Sequence, residues 1–455
     1  MEIISNIVYF IIAIGVLVAI HEFGHFIAAR LTGMRAEIFS IGMGQRLFGY
    51  NKINGFTFGK LPADIDLGNH TDYRVAIFPI GGYVKISGMI DESFDTEFAG
   101  KPPENYEFRS KNTFQKLFVL SAGVLMNLIL AVAIFSFITF YYGSTELATN
   151  VIGKVESNSI LYEMGLRSGD KIISINNYKI NSWNQLVEKL TFKEFGKDIN
   201  VKLIRDNNLI DLKLDGTLII KSLSKKEPLG IYPGNIKTYI EEVIKGNPAE
   251  KLGLKSGDTI LFCNNVEINS INSLKEELTK HKSQQVILKW KRGNQVFIDS
   301  VLTNSSGLIG VKLAYSPITN ISYGIFESIY IGFRETINSL ELLIKSIIQI
   351  FKGNLSFKES IAGPILIIDM AGEQANRGLV SFLSFIALLS ISLAFMNILP
   401  FPALDGGHLV FVLIEGIMRR EIPVKVKIAF QQGGIIILLL FMAFVFYNDI
   451  TRLWK

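Results

Sequence analysis

Residues 21–25 read His-Glu-Phe-Gly-His. On a helix, histidines at i and i+4 share a face one turn apart, so both imidazoles can reach one metal ion. Glu22, between them, then stands beside a metal-activated water as a general base. The surrounding residues are almost wholly apolar, and ionisable groups in such a segment cost several kcal/mol unless they are paired or face a wet cavity. Two core histidines with ordinary partners would be the plain alternative, but partners would be needed for both rings and for Glu22. One cation answers two of the three. Catalytic zinc usually takes three protein ligands and keeps one position open, which sends the search to other apolar segments. Residues 397–408, NILPFPALDGGH, stand out. Pro400 and Pro402 break a helix, and irregular backbone at membrane depth is tolerated only where it is buried in protein or lines a wet cavity. Asp405 follows, flanked by glycines that permit close approach. Its competitors are Asp369, Glu373, His408 and Glu415. Asp405 is the expected third ligand beside His21 and His25, with Zn2+ as cofactor and Glu22 as catalytic base.

The elements that must hold these residues are membrane helices. A span needs roughly 20 mostly apolar residues, and residues 3–29, 117–142, 379–399 and 428–447 qualify. The mean hydropathy of +0.33 is too high for an ordinary soluble enzyme. The net charge of +5 over 455 residues carries no nucleic-acid signal. The first stretch lacks a basic leader and a clear cleavage site and carries a charged motif, so it reads as a retained span. Arg419, Arg420, Lys425 and Lys427 lie in the short loop before the last span, and Arg30, Arg35, Lys111 and Lys116 flank the first loop. By the positive-inside rule these loops are cytoplasmic, and the termini and the large middle segment face outward. The last tail, with Arg452 and Lys455, argues mildly against that orientation. The single cysteine, Cys263, excludes an internal disulfide and a thiolate-rich metal site, and reads as a small core residue.

The middle segment repeats itself. MGLRSGDKIISINN at 164–177 recurs as LGLKSGDTILFCNN at 252–265; Gly165 returns as Gly253, an offset of 88, and Ser168, Gly169, Asp170, Asn176, Asn177 and Asn184 return at the same offset. Each copy shows a glycine-bounded turn, a buried strand, an Asn-Asn turn and a helix. The pattern resembles the PDZ domain over residues 150–233 and 237–314, and residues 229–231 and 309–311 look like the start of the peptide-capturing strand. Such domains bind an extended peptide along a sheet edge. Packed spacers with closed grooves are the bland alternative.

HExxH in a first span, LDG in a later one and paired PDZ domains between them resemble the site-2 protease family, in its regulator-of-sigma-E branch, over essentially the whole chain. The resemblance implies a multi-domain membrane metalloprotease of about four transmembrane helices, with two tandem PDZ (mixed α/β) domains inserted between the second and third. The expected divisions are a first helix at 1–30, a cytoplasmic loop with a membrane-associated β-hairpin region at 31–113, and a second helix at 114–143. The PDZ domains follow at 148–235 and 236–316. An amphipathic helical segment at 317–375, a third helix with the LDG loop at 376–427 and a fourth helix at 428–455 complete the chain.

The implied activity is regulated intramembrane proteolysis of membrane-spanning proteins, such as anti-sigma factors after a first cut, or of remnant signal peptides. The implied location is a bacterial inner membrane with the PDZ pair on the outer side, gating access or binding peptide. Asn397 matches a family asparagine linked to substrate handling, against a turn-forming role. Gly81, Gly82 and Tyr83, in the hairpin-like run 78–85, match a membrane-reentrant β-region that pairs with unwound substrate, against a plain surface hairpin. Asn127 closes a glycine-to-asparagine motif that has Val124 where proline is expected, and an interhelical clasp is its alternative role. Residues 323–351 alternate apolar and charged side chains at helical spacing and read as a helix on the membrane surface, continuing toward 362–364, or equally as a helix packed against the PDZ pair. The rivals are a non-catalytic PDZ membrane scaffold and a zinc transporter.

Overall fold

In a computed structural model of the chain, the apolar runs fold as unbroken helices. Residues 2–61, 67–89, 102–193, 196–225, 227–234, 236–268, 270–316 and 318–453 are described, so Lys455 lies outside the described residues. Two compact units emerge: one joins residues 1–142, 323–344 and 358–455, the other residues 143–322 and 345–357.

The first unit holds α1 (Glu2–Leu31), the strands β1 (Ala36–Asn51), β2 (Gly55–Phe58) and β3 (Asp72–Ile86), and α2 (Thr113–Tyr142). It resumes with most of α3 (Ile325–Phe351), then α4 (Pro364–Asn376), α5 (Leu379–Ile398), α6 (Asp405–Met418) and α7 (Val424–Leu453). Four of these helices are long and apolar enough to cross a membrane: Ile3–Leu31, Thr113–Tyr142, Leu379–Ile398 and Val424–Thr451. At 1.5 Å per residue the shortest, α5, is about 30 Å long, the thickness of a hydrocarbon core. The last span is longer at both ends than the hydrophobic run alone suggests, because Lys425 and Lys427 join its first turn.

Inside the unit, Ala13 and Leu17 of α1 pack with Ile386 of α5, and Ala131 of α2 packs with Ala387 and Ile391. Small side chains there let the helices approach closely, the main source of helix association in lipid. The outward faces are apolar as well, as with Ile3, Val8, Leu439 and Leu440, which suits hydrocarbon surroundings.

Three expectations need correction. The amphipathic segment does not run on as one helix: α3 stops at Phe351, Gly353 turns left-handed (φ +74), and a new helix starts at Pro364. The carboxylate of Asp449, on α7, accepts the N–H groups of Gly363, Ile365 and Leu366, capping that new helix from a distance. Nor is the LDG run a plain loop. Asp405 is the first residue of α6, a 14-residue helix too short to span.

The run 78–85 is also not a simple hairpin. Ile41 lies opposite both Gly82 and Val75, and Ser40 opposite both Tyr83 and Arg74. The first half of β1 is therefore flanked on both sides by β3, which wraps around its end. Gly42 and Gly44, both left-handed (φ +89 and +91), bend β1 there. No strand among the described residues pairs with the far side of Gly82–Ile86.

The second unit is sheet-rich and consistent with PDZ-like domains. It contains two hydrophobic cores, one built on Ile152, Ile172, Leu186 and Leu203, the other on Ile240, Ile260, Leu274 and Leu288. The repeated sequence becomes repeated structure. Strands Lys171–Ile175 and Thr259–Cys263 are followed by turns in which Asn176, Asn177 and Asn264 take positive φ, as the Asn-Asn pair suggests. Helices Trp183–Glu188 and Ile271–Lys280 follow, capped by Ser182 and Ser270. The copies differ at their ends. The first carries an additional helix, Gly216–Ser224, and closes on the three-residue strand Ile231–Pro233; the second closes on the longer strand Val311–Ser316 at its sheet edge.

Candidate metal centre

α1 presents His21 and His25 on its inner face, where both are more than nine-tenths buried. Two glycines make room for them. A Cβ on Gly24 would collide with the backbone of Ala122, so α1 and α2 touch there. A Cβ on Gly123 would lie 2.5 Å from Nε2 of His25 and 2.7 Å from Nε2 of His21, so the imidazoles occupy the space that α2 leaves open.

Asp405 arrives from the other end of the chain. Pro400 and Pro402 end α5, Ala403 adopts a left-handed backbone (φ +71), and α6 begins at once. That conformation costs a residue with a Cβ about 1–2 kcal/mol. Gly406 and Gly407 pass so close to the carbonyls of Leu399 and Phe401 that no side chain fits at either. The result places a carboxylate at a helix N-terminus, where the dipole favours negative charge.

The three donors converge. Oδ2 of Asp405 lies 3.0 Å from Nε2 of His21 and 3.3 Å from Nε2 of His25, and the two Nε2 atoms are 3.2 Å apart. A tetrahedral zinc with bonds of about 2.0–2.1 Å sets neighbouring donors about 3.3 Å apart, so the triangle is the size of one face of such a site. Oδ2 of Asp405 is buried and accepts no hydrogen bond. Nδ1 of His25 donates to the carbonyl of Val119 at 2.8 Å, which leaves its Nε2 as a lone-pair donor. Among the described residues, His21, His25 and Asp405 form the group of His, Cys, Asp and Glu able to hold an ion. These observations fit zinc.

Beside the triangle is a cavity of about 200 Å³ lined by Glu22, Gly81, Gly82, Asn397 and His408, among others. Nδ2 of Asn397 lies 3.3 Å from Nε2 of His21. Gly82 is pressed between the carbonyl of Ser40 and the side chains of Val18 and Glu22. Tyr83 does not line the cavity; the Arg74 guanidinium lies 6.0 Å from its ring centre. Asn127 does not line it either. It is fully buried behind the histidines, with Nδ2 3.2 Å from Nδ1 of His21. The competing acids are elsewhere: Glu373 pairs with Arg377, Glu415 with Lys427, and Asp369 is exposed. His408, one turn beyond Asp405, borders the cavity. The carbonyl of Val119 and the left-handed Ala403 had no sequence signal, because a backbone carbonyl carries no residue signature and alanine does not advertise positive φ.

A two-histidine, one-carboxylate triangle, in a unit with four helices of membrane-spanning length, defines a membrane-embedded metallopeptidase. The comparisons agree. The model of peptidase family M50 matches residues 9–441, and the chain belongs to that family. It is 32% identical over 98% of both chains to the regulator of sigma E protease of Haemophilus influenzae. It is 30% identical, again over 98% of both, to the regulator of sigma-E protease of Escherichia coli. A Neisseria meningitidis protein with zinc metalloprotease in its name is 31% identical over 98% of both. The chain is a zinc metalloprotease of the site-2 type.

Proposed function

We propose that this protease cuts membrane-spanning protein segments at the level of the bilayer, with His21, His25 and Asp405 holding zinc and Glu22 as the base. The observation that carries the assignment is the donor triangle with the buried, unsatisfied Oδ2 of Asp405 at one corner. Zinc, when bound, supplies a Lewis acid and lowers the pKa of a water it holds. Glu22 borders the cavity that opens on the triangle. It takes a proton from the attacking water and delivers it to the leaving amine. Asn397 is a hydrogen-bond donor beside the triangle, placed to hold the scissile carbonyl.

A helix hides its carbonyls in hydrogen bonds, so the substrate must be bound extended. The edge of β3 at Gly82–Val84, where no further strand among the described residues pairs, suits an added strand, with Gly81 and Gly82 allowing close approach and Tyr83 contributing its main chain. Relatives named as regulators of sigma-E protease support a membrane-anchored anti-sigma factor as substrate after a first cut; a remnant signal peptide offers the same chemistry.

The two cores of the second unit are read as tandem PDZ domains at 148–235 and 236–316, filtering substrates on the outer face of a bacterial inner membrane. That orientation rests on the basic loops around Arg30, Arg35, Arg419 and Arg420. The scaffold alternative is not favoured, since all four chemical residues are present in a peptidase family member. The test is Glu22→Gln in purified, reconstituted protein with a membrane-spanning peptide. Zinc stays bound and cleavage falls by about 10²–10⁴-fold; full cleavage would remove the base assignment.

A further inference from the structure

Zinc at Nε2 of His21 makes a demand on the opposite side of the ring. A neutral imidazole that gives its Nε2 lone pair to a metal carries its proton on Nδ1, and that proton needs an acceptor when buried. The group facing Nδ1 is the side-chain amide of Asn127, at 3.2 Å and fully buried. In this structure its nitrogen faces the ring and its oxygen is buried without a partner. Two N–H donors cannot face each other at that distance. The nitrogen and oxygen of an amide have nearly the same shape, so a half-turn about the last side-chain bond exchanges them.

We propose that Asn127 is the positioning residue of His21: its side-chain oxygen accepts the Nδ1 proton and so fixes the tautomer and angle with which His21 meets the metal. The inference rests on the reading of His21 as a metal ligand.

α2 is built for this task along a single stripe. Val119, Gly123 and Asn127 are spaced i, i+4 and i+8, on one face of the helix. Val119 offers its carbonyl to His25, Gly123 leaves room for both rings, and Asn127 faces His21. The stripe therefore matches the i, i+4 spacing of the histidines on α1, one acceptor per ring. Ser390 of α5 donates from Oγ to the backbone carbonyl of Asn127 at 2.7 Å, which pins α2 at that level. A residue merely clasping two helices would not need its amide aimed at a ring nitrogen.

The experiment measures zinc retention by the full-length protein in detergent against a competing chelator, for the parent, Asn127→Leu, Asn127→Asp and His21→Ala. Helix content and the gel-filtration profile report the fold. Leucine keeps the volume but offers no acceptor; aspartate keeps an acceptor and loses the donor. Expected are a zinc affinity about 10–100-fold weaker for Asn127→Leu and one within a few-fold of the parent for Asn127→Asp. With cobalt in place of zinc, Asn127→Leu shifts the visible spectrum and Asn127→Asp restores it.

Undiminished zinc binding by Asn127→Leu overturns the proposal. So does weakened binding by folded Asn127→Asp, since the amide would then be acting as a donor. If the leucine variant does not fold, the aspartate variant still reads the sign. Loss of zinc from His21→Ala, with Asn127→Leu unaffected, sinks this inference alone; parent-like binding by His21→Ala sinks the ligand reading with it.

Discussion

Both units bury carboxylate oxygens, in opposite company. In the repeated modules Asp170 and Asp258 are fully buried, and each is held by one arginine in a two-point grip. Arg205 reaches the two oxygens of Asp170 at 2.7 and 2.8 Å, and Arg292 reaches those of Asp258 at 2.7 Å each. The backbone N–H groups of Arg167 and Lys255 each add a third bond, to Oδ2, at 2.9 and 2.8 Å. Each arginine also donates to the carbonyl of the preceding turn, at Gly165 or Gly253. Both oxygens of each carboxylate are bonded, and the pair staples the turn to the sheet. Asp405 has two imidazoles within 3.3 Å and an oxygen that accepts no hydrogen bond. A carboxylate that folding has satisfied is structural; one left open beside two lone-pair donors awaits a cation. Burial by itself separates neither case.

The comparison can be broken in four ways, from the largest effect down. Asp405→Ala abolishes zinc retention and peptide cleavage while the helices stay folded, because no structural bond depends on Oδ2; metal analysis and circular dichroism check this together. A loss of helix equal to the loss of metal would make Asp405 structural after all. Removing the metal with a chelator stops cleavage, and added zinc restores it, while the thermal unfolding of the repeated modules is unchanged. Arg292→Met strands a fully buried charge at Asp258 and destabilises the second module by about 3–5 kcal/mol, read from denaturant unfolding. Zinc content is unaffected.

The smallest effect concerns Cys263, a buried ionisable group with neither partner nor metal. Burial and the nearby Glu277 push its thiol up to about 11. The folded state thus holds the proton longer than the unfolded chain does, so the stability of that module falls as pH rises from about 9 toward 11. At pH 8 a thiol reagent labels Cys263 slowly until denaturant is added, and rapid labelling of the native protein would contradict the burial.

Much of the site was legible because its periods are local. His21 and His25 share a face by helix geometry alone, and apolar runs of about 20 residues specify spans whatever else the chain does. The recurrence of 164–177 at 252–265 announced two copies of one module, down to the left-handed asparagines. Asp405 was found by elimination, as the acid set in broken helix at an apolar depth. The wrap of β3 around the first half of β1 was not legible, because strand alternation tells which face a residue takes but not which strand lies beside it.

The amino-acid order by itself determined the donor types, the spans and the duplication, since each follows from spacing within a few turns or from a direct repeat. Only the tertiary structure decided that Asp405 meets His21 and His25 within 3.3 Å, that Gly123 clears the space for both rings, and that Val119 and Asn127 face their far nitrogens. The reason is physical. Local propensity and periodicity aim a side chain at a face, but the atom that receives it depends on close packing between helices distant in the chain.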